Sequence, residues 1–253
     1  MKANYENRID LNNNAGNHNA TYRGKDITNL FYNGTLSQQI AAGTFNDIYI
    51  GDYVIGKVSN RKYLVADINY RLHSGDTECK TNHILMIPEK VMGTSQMNNT
   101  DITTGAYKGS SMYSSNLNTF KTLIKNDFGT NHLLTHRQYF ANSVLNGYEN
   151  GGEWISSDID LMNELMVYGS NVFHNIMNGN SVPSNQTIDK SQLSIFRLDK
   201  SKIIAFNDSN EREHWWLRDV TSSSQFTMVG SGGFCSPFNS SRTAGIRPAF
   251  LVY

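Results

Sequence analysis

Two adjacent tryptophans, Trp215 and Trp216, restrict this chain more than any other feature. They stand in "HWWLRDV", a run that reads as a β-strand, where neighbouring side chains point to opposite faces. One core tryptophan and one nearer a displayed face are therefore expected. A span of small polar residues follows, and then the apolar "GIRPAFLVY" (245–253). A flexible tail would not end so apolar, and an ordinary core would not hold so many glycines and serines. The two apolar runs read as strands that flank a displayed span. Inside it, Phe226 and Met228 alternate with Gln225 and Thr227, the mark of a half-buried strand. Those two belong to the scaffold, and the candidate recognition surface narrows to about residues 231–242.

Upstream, "DIYIGDYVIGKV" and "RKYLVADINYRL" read as strands joined by a hairpin about Ser59-Asn60-Arg61, and "HILMIP" as a buried strand. The stretch from Glu89 to Met112 reads as a long surface loop. Spacings of three and four through Met112, Leu117, Phe120, Leu123 and Ile124 predict a helix ending at Phe128-Gly129. A second is expected in "SSDIDLMNELMVYG", with Ser157 as N-cap and Gly169 as stop. "LSIFRL", "KIIAF", "QFTMV" and "IRPAFLVY" read as extended pieces, with Pro248 at an edge or a strand start. Strands, then helices, then strands again indicate an α+β domain. Residues 1–45 differ: they are Asn-rich, with a thin apolar stripe at Ile27, Leu30, Phe31, Leu36 and Ile40. They read as an arm packing on the main domain (46–253), on another copy or on a partner.

Composition excludes several classes. The formal net charge is +0, which gives no long-range pull toward nucleic acid. No apolar run reaches the roughly 20 residues of a membrane helix. The N-terminal stretch has no hydrophobic h-region, so no signal peptide is expected. Cys79 and Cys235 are far apart and read as thiols. An extracellular role would then need another exit, such as lysis or assembly into a particle.

"LMNELMVYGS" (161–170), "LSIFRL" (193–198), "HWWLRDVTSSSQF" (214–226) and "GIRPAFLVY" resemble the C-type-lectin-like domains of bacteriophage tail proteins and gut-bacterial surface proteins. "RGKDIT" (23–28), "NHILMIP" (82–88) and "GAYKGSSM" (105–112) are similar to phage tail proteins of low-GC Gram-positive hosts. The resemblance implies a C-type-lectin-like fold with two helices, small mixed or antiparallel sheets and long loops. It also implies a last strand that pairs with early strands, and a loop face used for binding.

Four groups of candidate residues follow. Trp216, Ser231, Phe234, Ser236, Phe238, Asn239, Ser240 and Arg242 combine rigid aromatic area with adaptable hydrogen bonding, as binding loops do; the plainer reading is core aromatics and turn residues. Arg218 and Arg247 read as partners of Asp or Glu. His132 and His136 in "HLLTH" would align on a helix, but no third metal ligand has a recognisable spacing. The sugar-binding calcium motifs are missing, "VPSN" (182–185) being a poor substitute, and "NDSNE" (207–211) is at most an incidental ion site. Glu149, Glu153, Asp158 and Asp160 could pair as in a glycosidase, although acids near a helix start have a simpler use. Neither cysteine has a local catalytic motif.

The expectation is a non-enzymatic phage tail fibre or baseplate protein, made in the host cytoplasm and carried in the virion. It would bind a host-cell surface protein or glycan through its loop face and other tail proteins through the arm. It would work as a homo-oligomer with no cofactor, metal, nucleic acid or membrane insertion. The alternatives are a structural virion subunit contacting only virion proteins, or a bacterial surface adhesin.

Overall fold

The computed structural model describes residues 15–174 and 191–253. Three short helices come first: α1 (Ala15–His18), α2 (Thr28–Tyr32) and α3 (Thr35–Ala42). Strands β1 (Tyr53–Ile55), β2 (Lys62–Ile68), β3 (Ile84–Pro88) and β4 (Thr94–Gln96) follow. A π-helical turn, Met112–Asn116, leads into α4 (Asn118–Phe128). Then come β5 (His136–Phe140), β6 (Ser143–Leu145), β7 (Tyr148–Asn150), β8 (Glu153–Ser157), β9 (Ile159–Leu161) and α5 (Glu164–Tyr168). The last part holds α6 (Ser194–Leu198), β10 (Ala205–Phe206), β11 (Arg212–Glu213), β12 (Trp215–Val220), β13 (Gln225–Val229), β14 (Cys235–Asn239), β15 (Thr243–Gly245) and β16 (Pro248–Val252). The architecture is α+β.

Two five-stranded sheets organise it. The first has the order β1-β2-β3-β16-β9 and is antiparallel throughout. The hairpin expected about residues 59–61 joins β1 and β2, with Ile55 opposite Lys62. β3 is buried along its whole length, as "HILMIP" predicts. Pro248 sits at the start of β16, where its missing N–H costs least. The second sheet has the order β14-β13-β12-β15-β4 and is mixed, because β12 and β15 run parallel.

The helix from Met112 to Phe128 forms as expected, apart from its π-helical first turn. The second expected helix is much shorter. Ser157 pairs with His136 at the end of β8, and Ile159–Leu161 pair with Pro248–Phe250. Cross-strand pairing thus holds 157–161 extended, and the cap is Asn163, whose Oδ1 accepts from Met166 N at 2.8 Å. Gly169 ends the helix in the left-handed conformation. "LSIFRL" is also corrected, from strand to helix α6, with Leu193, Ile195 and Phe196 buried. "HLLTH" is no helix: Thr130–His132 make one 3-10 turn and His136 opens β5, so the two histidines do not share a helical face.

The arm packs on the main domain. Ile27, Phe31, Leu36, Ile40 and Phe45 are all sealed in the larger core cluster. Asp52, itself buried, accepts from Arg23 Nε and Nη2 and from the backbone N–H groups of Lys25 and Tyr49. Asp127, at the end of α4, ties that helix to the β1–β2 hairpin in the same way. It accepts from Val58 N, Ser59 N, Ser59 Oγ and the Tyr63 hydroxyl at 2.5–2.9 Å. Gly56 makes this approach possible, since a Cβ there would stand 2.4 Å from the Asp127 carboxylate.

Leu36→Ala should lower unfolding free energy by about 2–5 kcal/mol, as for a core residue; an effect near zero in urea titration would mean the arm is not part of the folding unit. Asp127→Ala strands several donors at once, the buried Tyr63 hydroxyl among them, and a loss of about 3 kcal/mol or more is expected in the same measurement.

Candidate functional site

Both tryptophans are fully buried, which corrects the expectation that one lies near a displayed face. Trp215 faces the larger core and donates its indole N–H to Ile203 O at 3.1 Å. Trp216 faces a second core with Met97, Met112, Leu117, Phe140, Phe226 and Ile246, and donates to Ser95 O at 2.8 Å. Trp216 is scaffold. Arg247 is corrected as well. Arg247 is sealed between the rings of Trp215 and Phe196 and donates to Pro88 O (2.9 Å) and Lys202 O (2.7 Å). Burial lowers its pKa to about 9. Arg218 reaches Gln138 Oε1 (3.0 Å) and Leu161 O (3.1 Å) over the Phe140 ring.

The remaining candidates do not form one loop. Five of the intervening residues are the strand β14, so the span divides into a tip, an edge strand and a turn. At about 3.3 Å per residue, β14 separates tip and turn by roughly 13 Å or more. Ser231 and Phe234 lie at the tip, where Phe234 is 58% exposed. Ser236 and Phe238 share the Trp216 side of the strand, and the Phe238 ring packs 5.3 Å from those of Trp216 and His214. Pro237 opposite Thr227 interrupts the donors of an edge strand and discourages a further strand from adding there. Asn239, Ser240 and Arg242 lie at the turn end. Ser240 is buried and donates its hydroxyl to Thr100 O and Ile102 O, both at 3.0 Å. Arg242 is exposed.

The turn end is where loops from distant parts of the chain converge. Asn239 Nδ2 and Ser241 N donate to the Asp101 carboxylate. Thr103 N donates to Ser223 O and Thr103 Oγ1 to Ser222 O. Val144 N donates to Thr104 O, and the Asn146-Gly147 turn sits against Ser222. Loops 98–104, 143–148, 221–225 and 239–242 are thereby bonded into one platform. It displays Ile102 (51% exposed), Leu145 (47%), Tyr148 (42%) and Arg242. Ile102, Leu145 and Tyr148 were not singled out in the sequence. The signal for two of them was present: Asn146-Gly147 between "SVL" and "YEN" is a two-residue hairpin code, and both residues have positive φ.

On the larger-core side of the second sheet lies a cluster of ionisable groups. Glu164 is fully buried. It accepts from the backbone N–H groups of Val172, Phe173 (3.0 Å) and His174 (3.1 Å), and from Thr227 Oγ1 at 2.7 Å. The His174 ring stands between Glu149 (Nε2–Oε2 2.9 Å) and Asp219 (Nδ1–Oδ1 3.5 Å). Burial, reinforced by the Glu164 carboxylate beside it, pushes the Cys235 thiol far above its ordinary range, which makes it a poor nucleophile. Of the four acids considered as a glycosidase pair, Asp158 and Asp160 share Lys121, at 3.9 and 3.7 Å, whereas Glu149 stands apart. Glu149 serves His174, Glu153 pairs with Lys108, and Asp158 with Lys125. Asp160 takes hydrogen bonds from Ser157 and Tyr107. Among the described residues no group of three or more His, Cys, Asp or Glu is arranged to hold a metal ion. "VPSN" lies outside the described residues.

A family model described as a domain of unknown function, DUF6273, matches residues 81–253. The chain belongs to this family. No curated protein and no solved structure matches it. The DUF6273 match takes in the whole second sheet, the platform and the His174 cluster, but it begins between β2 and β3. The first two strands of the first sheet therefore lie outside the matched region, although β2 pairs along the length of β3.

Phe234→Ala should leave the melting temperature within a degree or two, whereas Phe238→Ala, which uncovers Trp216, should lower it by several degrees. Equal effects in a thermal melt would contradict this division between tip and scaffold.

Proposed function

We propose that this DUF6273 chain is a non-catalytic recognition protein of a phage tail, with a C-type-lectin-like fold whose four-loop platform binds a structure on the host-cell surface. One observation carries the reading. Four loops far apart in sequence are hydrogen-bonded to one another, yet they leave two aliphatic side chains, a tyrosine and an arginine exposed. A surface already ordered before contact avoids most of the cost of immobilising loops on binding. Tyr148 offers rigid amphipathic area, and the Asn239–Asp101 pair and Arg242 offer polar contacts beside it. The resemblance of "HWWLRDV" and "GIRPAFLVY" to phage-tail lectin-like domains supports the setting. A single platform of this size binds weakly, so many copies on one particle would supply the avidity.

The test is attachment of fluorescently labelled protein, displayed multivalently, to whole cells of a panel of low-GC Gram-positive bacteria. On a strain that binds, the combined variant Ile102→Ser, Tyr148→Ala, Arg242→Ala should lose at least tenfold in attachment with its melting temperature preserved. The tip variant Phe234→Ala should retain attachment. Full attachment by the platform variant, or loss only in the tip variant, would overturn the assignment.

A further inference from the structure

We propose that His174 is the charged pin of an acid-tightened latch, which holds residues 172–174 across the larger-core side of the second sheet while its imidazole is protonated and releases them when it is not. The geometry has two parts. Glu164, from α5, gathers three successive backbone N–H groups, those of Val172, Phe173 and His174. The His174 side chain then lies between Glu149 of β7 and Asp219 of β12. The Asp219 carboxylate also accepts from Glu164 N at 2.5 Å, and Glu149 Oε1 from Val220 N at 3.3 Å. Segment, helix, hairpin and sheet therefore meet at one imidazole. Val172 and Phe173, by contrast, are 49% and 41% exposed and contribute little apolar anchorage of their own.

Among the described residues, the groups facing the pin are Glu149, Glu164 and Asp219, with Arg218 beside Asp219 and the Cys235 thiol beside Glu164. The carboxylates outnumber the cation, which sets the direction of the response. Burial alone would lower the His174 pKa, but Glu149, Asp219 and Glu164 outweigh it and raise it from 6.5 to about 9. A raised folded-state value means that this stabilisation is complete below about pH 6.5 and is lost as pH rises through about 9. Asp219 acts in the same sense. Burial and its carboxylate neighbours raise it from 3.8 to about 7 against the opposing pull of His174, so its proton too is held more tightly when the chain is folded. Above about pH 7 the cage carries more mutual repulsion, and the His174 cation is what keeps it closed.

The experiment compares the full chain with His174→Gln and His174→Lys between pH 6 and about pH 10. The glutamine variant should melt several degrees below wild type near pH 6.5, and the gap should close by about pH 10. The lysine variant keeps its charge beyond pH 9 and should show no such decline relative to wild type. In wild type, the Val172 methyl resonances should shift with pH along the titration curve of the His174 ring. A melting gap that is the same at both ends of the range would overturn the latch, as would Val172 methyls that ignore the ring titration. If the variants fail to fold, the two wild-type NMR titrations decide on their own.

Discussion

Two large rings in consecutive positions of one strand must leave it on opposite sides, and here neither reaches solvent. Each tryptophan buries on the order of 200 Å². At about 25 cal/mol per Å², leaving either one uncovered would forfeit roughly 5 kcal/mol, comparable to the whole net stability of many domains. The second sheet is thus obliged to carry a core on both faces. On one side the Trp215 ring meets the first sheet, α6 and the sealed Arg247. On the other, Trp216 is covered by the long 97–117 connection and the β5–β8 region. The small-residue span is tolerable because the neighbouring strands already provide both cores.

With so few long helices or strands, something else must fix the connections. Buried carboxylates serve that purpose repeatedly. Asp52 gathers N–H groups at residues 25 and 49, Asp127 those at 58 and 59, Asp67 that of Ser194, and Glu164 those at 172–174. In each case a charged acceptor satisfies donors that a loop cannot pair by itself, and such bonds are stronger than neutral ones. Burial pushes Asp67 up to about 6, its N–H donors pulling the other way. The connections are consequently pinned at points while the two sheets hold along their ladders, and the loops are held more firmly than their composition suggests.

Much of the scaffold was legible. Apolar strands such as "HILMIP" and the β1–β2 hairpin carry local patterns that tertiary structure does not contradict, and the Leu117–Phe128 helix has a clean period. What failed was decided by distant partners. Ile159–Leu161 fit a helical spacing, but β16 claims their backbone; "LSIFRL" is apolar enough for a strand, but its place above β2 makes it a helical turn. The candidate site was only half legible. Asn239, Ser240 and Arg242 are at the platform, but Ser231 and Phe234 are not, because a contiguous span hid a strand within it. Leu145 and Tyr148 could have been reached through the Asn-Gly turn between them. The His174 cluster could not, since its acids are spread from residue 149 to residue 219 and nothing local links them.

The position of β16 has a consequence in time. It lies between β3 and β9, in the interior of the first sheet, yet it is made about 160 residues after β3. At about 5–20 residues per second, translation leaves the inner edge of β3 without its neighbour for roughly 8–30 s. During that interval a wholly apolar strand is exposed on the nascent chain, and no amount of local order upstream can cover it. The sheet closes only after residues 248–252 clear the ribosome, and the yield of this chain in a cell depends on what shields β3 until then.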